Sequence, residues 1–332
     1  MSTPGTEHPF AAYVRILGKG KTGTRSLDRQ EARDAFAMIL RGAAEPVQIG
    51  AFLMLLRVKE ESPEEIAGFV EACRDTMHTP PALEVDLDWT SYAGKKHQHP
   101  WFVLTMLLLA QAGYRVFVHG TTGHTPGRLY TETVMRDLGL PVATDWSGVA
   151  PGLARAGICY LPLRGFCPGL EEIMQLRPLL GLRSPVNTLV RMINPLAARS
   201  SIQSIFHPAY TRIHQEADLL LDQPAALVFK GESGEVEIKP QADTRLYLLR
   251  EDQSRELLAA RTLHGRPAPV EQPSTEPLRQ LWRGTRTDDY GIAATVATTA
   301  AALMLLRPGN DLEDGHREAE RLWRQRDPGI LD

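Results

Sequence analysis

The sequence predicts an α/β protein: a small all-helical N-terminal domain plus a larger domain whose mostly parallel central sheet is flanked by helices. Three observations carry that prediction. Apolar residues in positions 1–80 recur at helical spacing, set off by capping pairs and closed by Pro80-Pro81. From Leu83 onward the pattern changes to strands alternating with helices. The 332 residues, 43% of them apolar, suffice to bury a sizeable core in one large domain or two.

Asp28 and Glu31 read as a capping pair ahead of Ala32, Ala35, Phe36, Ile39 and Leu40, and Gly42 ends that helix. Pro46 opens the next, with Ile49, Phe52, Leu53 and Leu56 turned inward. Ser62-Pro63-Glu64-Glu65 starts a third, whose buried stripe is Ile66, Phe69, Val70 and Cys73. Beyond the proline pair, Trp101 to Ala112 reads as a buried helix ending at Gly113, and Tyr114 to Val118 as a buried strand. Leu129 to Leu138 is helical and stops at Gly139. Ile158–Leu161, Ile202–Phe206, Ala225–Phe229 and Arg245–Leu249 are strand candidates, with a turn at Gly231 to Gly234. Ile292 to Leu306 is a long Ala/Thr-rich helix, and a charged surface helix follows Asp311. The arginine-rich Leu176 to Leu196 reads helical and belongs with the N-terminal helices. The expected division is therefore 1–80 plus about 174–200 against 81–173 and 201–332.

Charge is segregated. The chain has 37 Lys and Arg against 40 Asp and Glu, yet Trp89–Thr131 and Ile173–Gln215 contain no acid. Lys95, Lys96, Arg115 and Arg128 fall in the first stretch; Arg177, Arg183, Arg191, Arg199 and Arg212 fall in the second. Burial alone does not explain this, because Lys and Arg are excluded from cores nearly as strongly as acids. An anion-binding surface is the better reading. A net charge of −3 and a pI near 6.4 exclude binding nucleic acid through overall charge, so such binding has to come from a local patch. Cys73, Cys159 and Cys167 follow no metal spacing and fit unpaired thiols. With no signal-peptide pattern in Met1 to Phe10, the expected location is cytoplasmic.

Two loops suit a phosphate. His119-Gly-Thr-Thr-Gly-His-Thr-Pro-Gly-Arg128 follows a strand and precedes a helix, where backbone N–H groups hold anions. Ser91-Tyr-Ala-Gly-Lys-Lys-His-Gln-His99 offers two lysines and an aromatic ring for stacking on a base, with Tyr92 or Trp101 as the stacking candidates. Lys19, Lys21, Arg25 and Arg29 add a basic N-terminal loop. Glu235 and Glu237 alternate as on a strand and read as a solvated pair. No catalytic residue, metal site or cofactor is expected, and no membrane partner.

The order of segments resembles the anthranilate phosphoribosyltransferase family, from about Tyr13 to Leu306. Glu31-Ala-Arg-Asp-Ala-Phe-Ala-Met-Ile-Leu40, Gln48-Ile-Gly-Ala-Phe-Leu53, Arg177-Pro-Leu-Leu-Gly-Leu-Arg183 with Asn194-Pro-Leu196, and Val228 to Ile238 carry the likeness. The departures fall on its chemistry. The family's diphosphate loop Gly-Thr-Gly-Gly-Asp-Gly aligns with Thr90-Ser-Tyr-Ala-Gly-Lys95, and its metal-contacting serine with Phe102. Its Lys-His-Gly-Asn-Arg becomes Val118-His-Gly-Thr-Thr122, and of its metal-binding Asp-Glu pair only Glu237 remains, after Val236. A divalent ion needs oxygen ligands, which valine and phenylalanine do not supply.

Ser91-Tyr-Ala-Gly-Lys95, Val118-His-Gly120, Thr131-Glu-Thr133 and Gly231-Glu-Ser-Gly-Glu-Val-Glu237 resemble a branch of the family described as dimeric, inactive as an anthranilate transferase, and binding single-stranded nucleic acid in a basic groove. That resemblance implies a homodimer, paired through the helical domain, that binds single-stranded DNA or RNA. Lys95, Lys96, Arg128, Arg177, Arg183, Arg191, Arg199, Lys19, Lys21 and Arg25 are the phosphate candidates, and Tyr92 stacks. His119, Gly120, Arg177 and Glu237 are left as a vestigial ligand site. The alternative is a glycosyltransferase, either a phosphoribosyltransferase or a nucleoside phosphorylase, with an altered substrate.

Overall fold

Helix starts written into the sequence become helices with both halves of each cap made. In α2 (Arg29–Leu40) the Asp28 side chain accepts the Glu31 amide and Glu31 reaches back to the Asp28 amide. Ser62 and Glu65 do the same for α4 (Pro63–Thr76), with Pro63 in the first turn. The computed structural model describes residues 7–20, 22–123, 125–265 and 267–331. With α1 (Ala11–Gly18) and α3 (Pro46–Lys59), these helices form the N-terminal unit.

Strand and helix then alternate. The order is β1 (Leu87–Ser91), α5 (Phe102–Gln111), β2 (Val116–Gly120), α6 (Thr131–Asp137), α7 (Val149–Ala156), β3 (Ile158–Pro162) and α8 (Pro168–Met174). Next come α9 (Arg177–Leu180), α10 (Val186–Leu189), β4 (Ser200–Ile205), α11 (Tyr210–Leu220), β5 (Ala225–Lys230), β6 (Thr244–Arg250) and β7 (Gln253–Ala259). The C-terminal helices are α12 (Glu276–Arg283), α13 (Asp289–Leu306) and α14 (Leu312–Arg324). One seven-stranded sheet runs β3-β2-β1-β4-β5-β6-β7. Its first five strands are parallel, and β6 and β7 close one edge as an antiparallel hairpin.

β2 and β3 each feed two cores, as period-two alternation requires. Val116 and Val118 join Trp89, Ile202, Leu227 and Phe229 under α5, α13 and α14. Phe117, Cys159 and Leu161 face the other way, into a cluster shared with Phe36, Phe52 and Phe69 of the N-terminal helices. Val186 and Leu189 of α10 pack in that second cluster too. By length and composition α13 resembles a membrane span, yet 72% of it is buried against the sheet and its neighbours.

The Leu176–Leu196 segment departs from expectation. Only two single turns, α9 and α10, are helical in it. Gly181 takes a left-handed φ of 71° and Pro185 follows, so a continuous helix is broken twice.

Backbone approach fixes the junction of β1 and β2. A Cβ on Gly120 would lie 2.0 Å from the Ser91 carbonyl oxygen and 2.9 Å from the Tyr160 hydroxyl. Gly120→Ala is therefore expected to destabilise the fold by about 4 kcal/mol or more, in the range of severe overpacking. Urea unfolding checks this, and a loss below about 1 kcal/mol contradicts the close approach.

Candidate functional site

Chain direction places a cleft where ligands collect in open α/β sheets. From β1 the chain builds outward through β2 and β3 on one side, then crosses back to β4 and β5 on the other, so the sense of connection reverses between β1 and β4, beyond the carboxyl ends of the strands. A cavity of about 100 Å³ opens there. Arg57 of α3 lines it, with Tyr92 and Ala93 after β1, and Arg183, Asn187, Thr188 and Arg191 around α10. Phe206, His207, Tyr210 and His214, after β4, complete the wall. Arg57 donates to the Tyr210 hydroxyl at 2.9 Å, tying the helical unit to α11.

The cleft is cationic on one side. Arg183 lies with its guanidinium 5.4 Å from the centre of the Phe206 ring. Burial lowers its pKa to about 10, helped by repulsion from Arg177, Arg128 and Arg191. Among the described residues no carboxylate forms an ion pair with Arg183. Phe206 itself is 42% exposed. His214, buried beside Gln203 at 2.7 Å, is pushed down to about 3 and stays neutral.

The sequence-predicted residues separate into three groups. Arg183 and Arg191 line the cleft, with Arg128 and Arg177 close enough to repel Arg183, although three of the four are spent on hydrogen bonds within the chain. Arg128 donates to the carbonyls of Ala93, Gly94 and Ser233 at 2.8 to 3.1 Å. Arg191, buried, donates to the Gly234 carbonyl at 3.1 Å. Arg177 donates to the Thr125 hydroxyl. A second group lies elsewhere: Arg199 is exposed and 3.9 Å from Glu251, and Arg25 makes two 2.6 Å bonds to Glu31. Lys19 and Lys96 are exposed, and Lys21 lies outside the described residues.

The third group corrects the sequence reading. Lys95 is fully buried, its ammonium 2.5 Å from both Glu232 and Glu237, so it is unavailable to a ligand. Tyr92 is 1% exposed and its hydroxyl meets His119 Nδ1 at 2.6 Å; it presents no face for stacking. Trp101 is also buried. Glu235 and Glu237 are not a solvated strand pair, because both are fully buried beyond a single 3-10 turn at Glu232–Gly234. His119 and Gly120 sit buried at the end of β2, His119 Nε2 lying 3.2 Å from Asp88.

The β1–α5 loop answers whether a metal-bound diphosphate fits. Glu235 Oε1 accepts the amides of Ala93 and Gly94, at 2.7 and 2.5 Å, and its other oxygen accepts the Ser91 hydroxyl at 2.7 Å. Glu237 accepts the Phe102 amide at 2.9 Å in addition to its Lys95 contact. The groups that would receive such a ligand are occupied by the chain itself. It does not fit.

Burial raises Glu237 to about 7, aided by repulsion from Glu232, whereas Lys95 holds Glu232 below its usual range. Arg57, Phe206 and Tyr210 escaped the sequence reading; Phe206 had a signal, as the first residue beyond a parallel strand.

Two domain matches cover most of the chain. Residues 13–77 match the helical bundle domain of a glycosyl transferase family, and residues 103–325 match its a/b domain. The chain is 31% identical over 246 residues to the uncharacterized protein YbiB of Escherichia coli, covering 72% of this chain and 76% of that one. It is 29% identical over 323 residues to anthranilate phosphoribosyltransferase of Myxococcus xanthus, covering 92% of each. The Thermus thermophilus anthranilate phosphoribosyltransferase structure superposes with a TM-score of 0.74 at 22% identity, over 96% of this chain and 99% of that chain. The Saccharomyces cerevisiae enzyme in complex with PRPP and Mg gives 0.78 at 17% identity, over 98% and 96%. At these identities the structures show a shared fold.

Glu237 carries a pH signature. Its folded pKa of about 7 exceeds the ordinary 4.5, so between those values the folded protein holds a proton that the unfolded chain has released. That stabilisation is complete below pH 4.5 and is lost as the pH rises through 7. Glu237→Gln should flatten the fall in stability across this window in urea titrations. An unchanged slope contradicts the assignment.

Proposed function

The chain belongs to this glycosyl transferase family, and we propose that it uses the family's fold to bind single-stranded nucleic acid with little sequence preference. The observation that carries this reading is the group of arginines at the cleft, of which Arg183 lies over an exposed aromatic ring. Arg183 stands among Arg128, Arg177 and Arg191, and repulsion between them is relieved by an anion. Phe206 beneath it offers the face on which a base stacks, the part first given to Tyr92. Arg57 extends the positive wall onto the helical unit. Charge and ring together suit a phosphate backbone carrying flat bases better than a small anion alone. The proposed assembly is a homodimer paired through the helical unit, whose surface includes exposed Val47 and Leu179.

A glycosyltransferase with an altered substrate is the second reading. Family membership favours it, as does the 29% identity to the Myxococcus xanthus enzyme. Against phosphoribosyl diphosphate as its donor stand the loop amides taken by Glu235 and the carboxylates taken by Lys95.

Titration against salt tests the first reading. Contacts to about four phosphates give a log–log slope near −2.8 on a single strand. Arg183→Ala should reduce the slope by about 0.7, and a wild-type slope near zero removes the reading. Phe206→Ala should weaken binding by about 1–3 kcal/mol if a base stacks there. The second reading is tested by release of diphosphate from phosphoribosyl diphosphate with Mg²⁺ and aromatic acceptors. No turnover above the protein-free control is expected, and steady turnover would install the transferase in its place.

A further inference from the structure

The β1–α5 loop is built as an anion seat. The Ala93 and Gly94 amides converge on a single point, and Gly94 takes a φ of 69° to turn its N–H inward. The Ser91 hydroxyl adds a third donor. Converging amides of this kind hold phosphate in many proteins. Here the point of convergence is a carboxylate of the same chain, Glu235, with no exposed surface.

A cation stands next to it in the same manner. Lys95 lies between Glu232 and Glu237 at 2.5 Å from each, as a divalent ion lies between carboxylates. Arg128 and Arg191 lock the assembly by binding the carbonyls of Ala93, Gly94, Ser233 and Gly234. The Glu232–Gly234 turn that delivers Glu235 has little room to move. A Cβ on Gly231 would lie 1.7 Å from the Glu235 carbonyl oxygen, and one on Gly234 would lie 3.2 Å from Ala93.

We infer that this loop is a seat for a phosphate-sized oxyanion that the chain fills with its own Glu235, while Lys95 takes the place of the accompanying cation. The disagreement between the loop and a metal-bound diphosphate is thereby explained as substitution, with both charges kept and both made covalent parts of the chain. The inference concerns a different set of donors from the cleft arginines and stands whether or not nucleic acid binds there.

Removing the resident carboxylate tests it. Glu235→Ala leaves the two amides without their acceptor and Ser91 with only the Thr131 hydroxyl as partner, so the variant should be less stable than the parent in chloride. Inorganic phosphate or diphosphate, compared with chloride at equal ionic strength, should restore its melting temperature in a saturable way. Calorimetry should give phosphate affinity at least tenfold tighter for the variant than for the parent. The difference between the two proteins is what counts, because it removes any phosphate taken up by the cleft arginines. Glu235→Asp, which keeps a carboxylate, should respond like the parent. Equal responses of parent and Glu235→Ala to phosphate would overturn the inference. Should Glu235→Ala be insoluble in both salts, Glu235→Ser, which also vacates the seat, is measured against the same two outcomes. Oligonucleotide titration of the soluble variant separates the two ideas: a retained salt slope leaves the cleft reading in place whatever the phosphate result.

Discussion

Two carboxylates with no exposed surface, Glu235 and Glu237, set the conformation of everything around the carboxyl ends of the central strands. A buried carboxylate is tolerated only with donors on its oxygens. Those donors come from the end of β1, the loop after it, the first residue of α5 and the Lys95 side chain. The loop conformation, the start of α5 and the turn before Glu235 are therefore one unit. Arg128 and Arg191 then bind carbonyls of that unit from outside, which is why they converge on the cleft while contributing less free charge than their number suggests.

Local signals in the sequence were legible where local physics decides the outcome. The capping pairs at Asp28 and Ser62 and the apolar strands of the parallel core appear where they were expected, because caps and strand alternation act within a few residues. β7 was missed: it lies on an edge, almost wholly exposed, with no buried alternation to reveal it. Lys95 and Glu235 were misread because their partners lie about 140 residues away in sequence. A charged residue shows nothing in its own neighbourhood to say whether it is solvated or buried against an opposite charge.

The acid-free stretches have a double origin that composition could not separate. Part of Trp89–Thr131 is simply interior, since α5 is buried along nearly its whole length. In Ile173–Gln215 Arg183 and Arg191 line a cavity instead, while Arg199 and Arg212 lie elsewhere beside Glu251 and Glu216. A single compositional anomaly thus records a core in one place and a cationic cleft in the other.

The position of α13 in the chain bears on how the protein is made. One face of the sheet, with Trp89, Ile202 and Leu227, is covered by this helix, which follows every strand in sequence. During synthesis on the ribosome all the strands, and α5 with them, emerge before this helix does. The part of that apolar face beneath α13 stays wet until residues 289–306 leave the exit tunnel, so the final collapse of this half waits for them. A nascent chain halted before that point would be a target for holding chaperones.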